Sequence, residues 1–331
     1  MSKKVVAAFI AVALILSIVG TAYWANNRDA KENTGSSAAS NTKIKFAYYG
    51  GTCEAPAYIA YEQGFFKKYG LDAEMVKVNF DTLKEGIATG KFDAVQVSAG
   101  EFKPIEQGLD IKITNGVHTG CIQGVVPTNS KIHSVKDLQG KNIGVEANGG
   151  VPMTLLSMEL SRNGIDPRQG VNWKVYPSPQ LSQALDKGEI DAFITWDPFG
   201  QLAVKSGKAR VFFSNTKSDP YADLYCCYIG VNGKLAKEHP ETAKAITQAM
   251  QDATRWVQEN PDEAARISIE KKYSGGDIAT TAQLLKQYHF NPDIDKAEES
   301  LHFYYRGLKE QSIFEASTDT DQLFKNTFVK F

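Results

Sequence analysis

The sequence predicts an α/β protein made of two similar lobes, with a helical C-terminal tail packed on the first lobe. Three observations carry that prediction. Short apolar segments alternate with helical patterns, as βαβ units on a mostly parallel sheet require. One helix–turn–strand unit recurs: residues 83–97 align with 181–195 at an offset of 98, with Leu83/Leu181, Gly90/Gly188, Asp93/Asp191 and Ala94/Ala192 identical. Beyond residue 231 the apolar pattern is helical throughout. The chain's 331 residues suffice for two full cores, since a single core rarely grows past ~250–300 residues.

The N-terminus reads as a targeting segment. Lys3 and Lys4 precede an apolar run of 20 residues from Val5 to Trp24, and at ~1.5 Å per residue such a run spans a bilayer core. Gly20-Thr21-Ala22 is a candidate cleavage site, whereas Tyr23-Trp24 resembles an interfacial anchor that stays in place. Residues 1–25 are therefore expected to be a signal or membrane anchor, and 26–42 a flexible polar linker. No cysteine precedes Cys53, so a lipid-attached N-terminus is not expected. An extracytoplasmic domain follows, at the outer face of the membrane or free in the periplasm. With 37 basic and 38 acidic residues the net charge is −1, which gives no reason to expect nucleic acid as a partner. The 42% hydrophobic content excludes a largely disordered chain.

In order, residues 43–49 are expected to form a strand ending at Gly50-Gly51, and 57–69 a helix closed by Gly70. A strand over 71–78, a helix over 80–89 and a strand over 92–97 complete the first set. Residues 142–146 open the second sheet and run into Ala147-Asn148-Gly149-Gly150, ahead of a helix from about 152 to 163. Such a glycine-rich helix start can hold an anion or a carbonyl oxygen, or be a plain turn. A strand over 224–231 precedes helices over 241–258, 262–270, 279–287 and 297–309. The expected lobes are 43–122 plus 227–331, and 123–226, with crossings near 121–126 and 225–229.

All four cysteines fall at special places in this layout. Cys53 follows the first strand, and Cys121, Cys226 and Cys227 sit at the crossings. Ligands in open α/β sheets lie beyond the carboxyl ends of strands, so the four thiols are expected to meet in an interlobe cleft. Three readings stay open. Cys53, Cys121, Cys226 and Cys227, with His118 as a further candidate, could coordinate a thiophilic metal, a metalloid or a metal–sulfur species. An exported chain could instead form two disulfides, for example Cys53–Cys121. The cysteines could also be small apolar hinge residues. His118 carries less weight than the thiols, because a lone histidine at a strand end is more often structural. His133, His239, His289 and His302 read as incidental, and Trp256, Tyr304 and Tyr305 as core. No Ser-His-Asp, HExxH or P-loop pattern is present, so neither an enzyme nor a cofactor is expected.

Four segments carry a family resemblance. Residues 57–72 (AYIAYEQGFFKKYGLD), 135–145 (VKDLQGKNIGV), 188–192 (GEIDA) and 194–199 (ITWDPF) stand in order along the chain. Together they resemble nitrate/sulfonate/taurine-type (NitT/TauT) solute-binding proteins of ABC importers. The resemblance implies a two-lobed, type II periplasmic-binding-protein fold that closes by a hinge, and a membrane permease with a cytoplasmic ATPase as partners. It also implies that the loop after the first strand, Ser98, the turn at Asn148–Gly150 and Trp196-Asp197 face the cleft. The expected ligand-binding set is Tyr49, Thr52, Cys53, Glu54, Ser98, Cys121, Asn148, Gly149, Trp196, Asp197, Cys226 and Cys227. Asp197 replaces the family's commoner Glu, and Cys53-Glu54 departs from its norm. Glu54 would repel nitrate, bicarbonate or a sulfonate, whereas a neutral or cationic aromatic ligand could stack on Tyr49, Trp196 or Tyr228. A thiamine-precursor pyrimidine or a sulfonate/nitrate-type anion remains the alternative cargo. A thiamine-pyrimidine synthase is a more distant one, because the motif that Tyr225–Tyr228 faintly resembles needs a third cysteine and a preceding histidine.

Overall fold

Ten strands, β1 (Thr42–Tyr48), β2 (Leu71–Lys77), β3 (Ala94–Ser98), β4 (Ile111–Thr119), β5 (Ile122–Pro127), β6 (Asn142–Val145), β7 (Asn172–Val175), β8 (Ala192–Trp196), β9 (Ala209–Ser214) and β10 (Tyr225–Asn232), form two five-stranded sheets. Their orders are β2-β1-β3-β10-β4 and β7-β6-β8-β5-β9. The computed structural model describes residues 41–331, so the expected anchor and nearly all of the linker lie outside the described residues. Among the described residues no helix is long and apolar enough to cross a membrane.

The two sheets share one wiring. Each has a parallel trio, β2-β1-β3 or β7-β6-β8, followed by an antiparallel strand, β10 or β5, that comes directly after a crossing between the sheets. The residues repeated at an offset of 98 explain why. Gly90 and Gly188 end their helices at φ +72° and +70°, a left-handed conformation that glycine adopts without steric cost. Asp93 and Asp191 then accept the backbone N–H of Lys45 and Asn142, at 2.7 and 2.8 Å. Each aspartate thus pins the third strand of its trio to the first.

Several expectations shift. The single helix expected over 57–69 is two, Ala55–Glu62 and Phe65–Lys68, because Gly64 adopts φ +75° and breaks the hydrogen-bond ladder between them. Strands β4, β5, β7 and β9 and helices Ala99–Glu106 and Thr320–Thr327 are additions to the sequence reading. The chain passes from β4 to β5 through Gly120-Cys121 and returns over residues 215–224, upstream of the expected 225–229 segment. The C-terminal helices pack on Ala55–Glu62, β4 and β10, elements of the first sheet and its cover. One apolar core runs through both sheets, while a smaller one around Leu181, Leu185 and Phe193 covers the second sheet's other side.

Candidate metal centre

Both crossings between the sheets, together with the end of β1, converge on one buried point. After β1 the chain turns through a 3-10 helix, Thr52–Glu54, and the turn is laced by its own carboxylate. Glu54 accepts the N–H groups of Tyr49 (2.9 and 3.0 Å), Gly50 (2.7 Å) and Gly51 (2.9 Å), and the Tyr58 hydroxyl (3.1 Å). Cys53 is fixed by that lacing, and its carbonyl accepts the Gln96 amide at 3.1 Å. His118 on β4 and Cys227 on β10 are paired neighbours across the ladder. Cys121 sits in the crossing at φ +93°, a conformation costing a non-glycine residue about 1–3 kcal/mol.

Those elements bring one ligand atom each from Cys53, His118, Cys121 and Cys227 within 4.8 Å of one another, all four residues buried. All four cysteines of the chain are free thiols, so the bridge considered between Cys53 and Cys121 is not formed. The donor set is that of a Cys3His tetrahedral site, in which donor atoms stand about 3.7 Å apart around a zinc-sized ion. His118 Nδ1 lies 3.1 Å from the Thr119 carbonyl, which fixes the ring and makes Nε2 the candidate ligand atom; in the metal-free site Nε2 lies 3.3 Å from the Gln96 side-chain nitrogen. Cys226 stands outside the four. Its Sγ lies 3.4 Å from that of Cys121.

The ionisable groups of the site are strongly perturbed. Hydrogen bonds from Cys121 and Cys227, then His118, hold the Cys53 thiol well below its usual range against the opposing effect of burial. Burial pulls His118 down, but its bond to Cys53 and that thiolate's charge raise it overall. Burial pushes Cys121 and Cys227 up. Around them are buried carboxyls: burial lifts Glu54 to about 7 and Glu146 and Asp197 to about 8. Four nearby oxygens, Thr52 Oγ1, Gln96 Oε1, Glu146 Oε2 and Asp197 Oδ1, are buried without a partner, a concentration that native interiors avoid unless something pairs with them.

Two chambers meet here. The inner one, about 40 Å3, is lined by Cys53, Cys121, Cys227, Glu54, Gln96 and Ser98 among others, and no Lys or Arg is among its lining residues. Since one water needs about 10–15 Å3, it has room for a bare ion and a little water but not for an organic ring. The outer one, about 620 Å3, shares Tyr49, Phe80, Glu146 and Trp196 with it. The Tyr49 and Trp196 rings stack at the boundary, 6.0 Å between centroids. Tyr49 also donates to Glu101 at 2.6 Å, and Glu101 is held by the Ser98 N–H at 2.8 Å and hydroxyl at 3.0 Å.

Of the residues singled out in the sequence, Tyr49, Cys53, Glu54, Ser98, Cys121, Trp196 and Cys227 line the inner chamber. Thr52 and Asp197 are buried beside it, joined by Thr52 N–H donating to the Asp197 carbonyl at 3.0 Å. The Asp197 carboxylate accepts the Tyr288 hydroxyl. Asn148 and Gly149 are exposed and line neither chamber. Tyr228 is buried against Phe102 and is not available for stacking in the cleft. Gln96, Glu101 and Glu146 were not singled out in the sequence, and His118 was named there only as a further candidate. The Ser98-x-x-Glu101 capping box was the one readable signal among them.

The family model described as the NMT1-like family matches residues 37–270. A nitrate/nitrite binding protein, NrtA, from a Nostoc species is 25% identical over 294 residues, covering 80% of this chain and 65% of that protein. The chain thus spans slightly under two thirds of that relative. Among solved structures, the ligand binding component of an ABC-type import system from Staphylococcus aureus, with zinc bound, superposes at TM-score 0.71 with 17% identity, over 87% of this chain and 97% of that one. The alkanesulfonate-binding protein SsuA from Xanthomonas axonopodis pv. citri, bound to MOPS, does so at 0.71 with 14% identity, over 88% and 99%. At these identities the structural likeness speaks for the fold, a two-lobed periplasmic-binding-protein architecture.

Proposed function

The chain belongs to the NMT1-like family, and on that premise we propose that it is the extracytoplasmic solute-binding component of an ABC importer whose cargo is a thiophilic metal cation. The cargo is taken by Cys53, His118, Cys121 and Cys227 and handed to a membrane permease driven by a cytoplasmic ATPase. The observation carrying this reading is the convergence of three thiols and one imidazole, within 4.8 Å and buried, from three separate parts of the chain. Soft thiolates select late, polarisable metals over the hard, abundant ones. The absence of Lys and Arg from the inner chamber argues against the anions that the relatives' names suggest, because a buried anion needs cationic or N–H partners. Binding would displace protons from the thiols and the imidazole. Opening of the cleft at Tyr49 and Trp196 admits the ion, and closure shuts it from water. Closure is favoured only by the ion's higher affinity for the closed state.

The test is anaerobic titration of Zn2+ and Cu+ into the reduced protein, by competition with a chromophoric chelator. One ion per chain is expected, with Cys53→Ser and Cys227→Ser each weakening binding at least about a hundredfold while the circular dichroism stays native. Unchanged affinity in both variants would sink the cage. A second reading rests on the apolar outer chamber, with Val78, Phe80, Val175, Pro177, Trp196 and Phe199 in its wall, which suits a planar organic ligand such as a pyrimidine. That reading predicts ligand-induced quenching of Trp196 fluorescence by the organic compound in metal-free protein, and no loss of that response in Cys227→Ser.

A further inference from the structure

Cys226 is left over by the four-donor set, yet it is as carefully placed as the donors. Its sulfur lies 3.4 Å from that of Cys121, and both residues are buried. One buried side chain brackets the pair. Asn215 Oδ1 accepts the Ile122 N–H at 2.8 Å, while its Nδ2 donates to the Gly120 carbonyl and to Cys226 Sγ, each at 3.3 Å. The amide thereby holds the crossing that carries Cys121 against the start of β10, which carries Cys226. Cys121 itself is held at φ +93°, a backbone state that surrounding structure must impose. A metal cage alone requires neither the fourth cysteine nor this bracket.

We propose that Cys121 and Cys226 form a reversible dithiol–disulfide switch that disables the metal site when a hydroperoxide oxidises it. One thiolate attacks the peroxide, so that an S–O bond forms as the O–O bond breaks. Water (or the alcohol, from an organic peroxide) leaves, and a sulfenic acid remains. The second thiolate attacks that sulfur, the S–S bond forms, and the oxygen departs as water. Two thiols lose two electrons and two protons, and the peroxide is reduced. A dithiol reductant reverses the change by exchange. The disulfide removes Cys121 from the donor set and leaves Cys53, His118 and Cys227 with an incomplete cage. Conversely, a metal already bound to Cys121 engages that sulfur and protects the pair. The effect on cargo rests on the proposed metal reading; the disulfide itself does not.

The experiment treats the reduced, metal-free full chain with hydrogen peroxide, then maps linkages by differential alkylation and peptide mass spectrometry. Zn2+ affinity is measured before and after, in wild type and Cys226→Ala. The expected first product is the Cys121–Cys226 disulfide, with wild-type Zn2+ affinity falling at least about tenfold and returning with dithiothreitol. Cys226→Ala should keep its affinity through a brief peroxide treatment, and prebound Zn2+ should slow linkage in wild type. A first disulfide between Cys53 and Cys227, or equal loss of affinity in Cys226→Ala, overturns the switch. Failure of the reduced wild type to bind Zn2+ overturns the metal reading and the switch's output together, while the linkage map still decides the disulfide.

Discussion

Glu54 is buried and Glu146 half-buried at the same cleft, and their carboxyls do different work because of what surrounds them. Glu54 satisfies three backbone N–H groups and a tyrosine hydroxyl, so it builds the loop that positions Cys53 rather than waiting for a ligand. Glu146 has an oxygen shut away with no partner, and burial lifts its pKa to about 8. An acid whose folded pKa exceeds its unfolded value of about 4.3 contributes stability that is fully present below the unfolded value. That contribution fades as pH rises toward and through about 8. Glu146→Gln stays neutral, so its stability should not decline over that window. The variant should exceed wild type by roughly 2 kcal/mol at pH 9 and match it near pH 4.5, read from urea midpoints. Parallel profiles for the two proteins would show that Glu146 ionises freely in the folded state.

At the scale of elements, the repeated unit is the clearest link between sequence and structure. Gly90 and Gly188 have φ of +72° and +70°, and a β-carbon at either would meet nothing within 4 Å. Substitution by Ala should therefore cost only backbone strain, about 1 kcal/mol at each position, measured as matching shifts in denaturant midpoint. A cost several times larger at one position would mean that the two turns are not equivalent. The repeat was legible because both glycines act locally, ending their helices, and each aspartate stands three residues after its glycine, although the N–H it accepts belongs to an earlier strand. The loop after β1 and the helices of the tail were legible for the same reason.

Strand β4 has no bounds in the sequence reading, where His118 stands at a strand end and carries low weight because a lone histidine there is more often structural. Asn115-Gly116 within Ile111–Thr119 is a turn-forming pair by local rules. Here the glycine serves long-range packing instead: a β-carbon on it would fall 2.4 Å from the Tyr225 ring. The pairing of His118 with Cys227 is long-range, and nothing in the sequence sets that register. Cys226 and Cys227 likewise separate only in the fold, where Cys227 joins the donor cluster and Cys226 lies 3.4 Å from Cys121. At the glycine turn Asn148 and Gly149 are exposed and Gly150 is buried, and the neighbouring Glu146, not the turn, lines the cleft.

Over the whole molecule, two sheets of like wiring are joined at Gly120-Cys121 and over residues 215–224, and the thiols gather where those joins meet the end of β1. That placement lets a bound ion couple to the state of both halves at once. A cargo that binds only the folded protein stabilises it by about 4 kcal/mol at a thousand times its dissociation constant. Zn2+ should accordingly raise the melting temperature of reduced wild type by several degrees and leave Cys53→Ser unmoved, in differential scanning calorimetry. Equal shifts in both would trace the effect to surface sites.

The most direct measurement is elemental analysis paired with a thiol count on protein purified without oxygen. Coordination by Cys53, His118, Cys121 and Cys227 predicts close to one thiophilic metal per chain, with the three ligating thiols unreactive until a chelator is added. No metal together with four reactive thiols, or two disulfides in protein never exposed to oxidant, would contradict it.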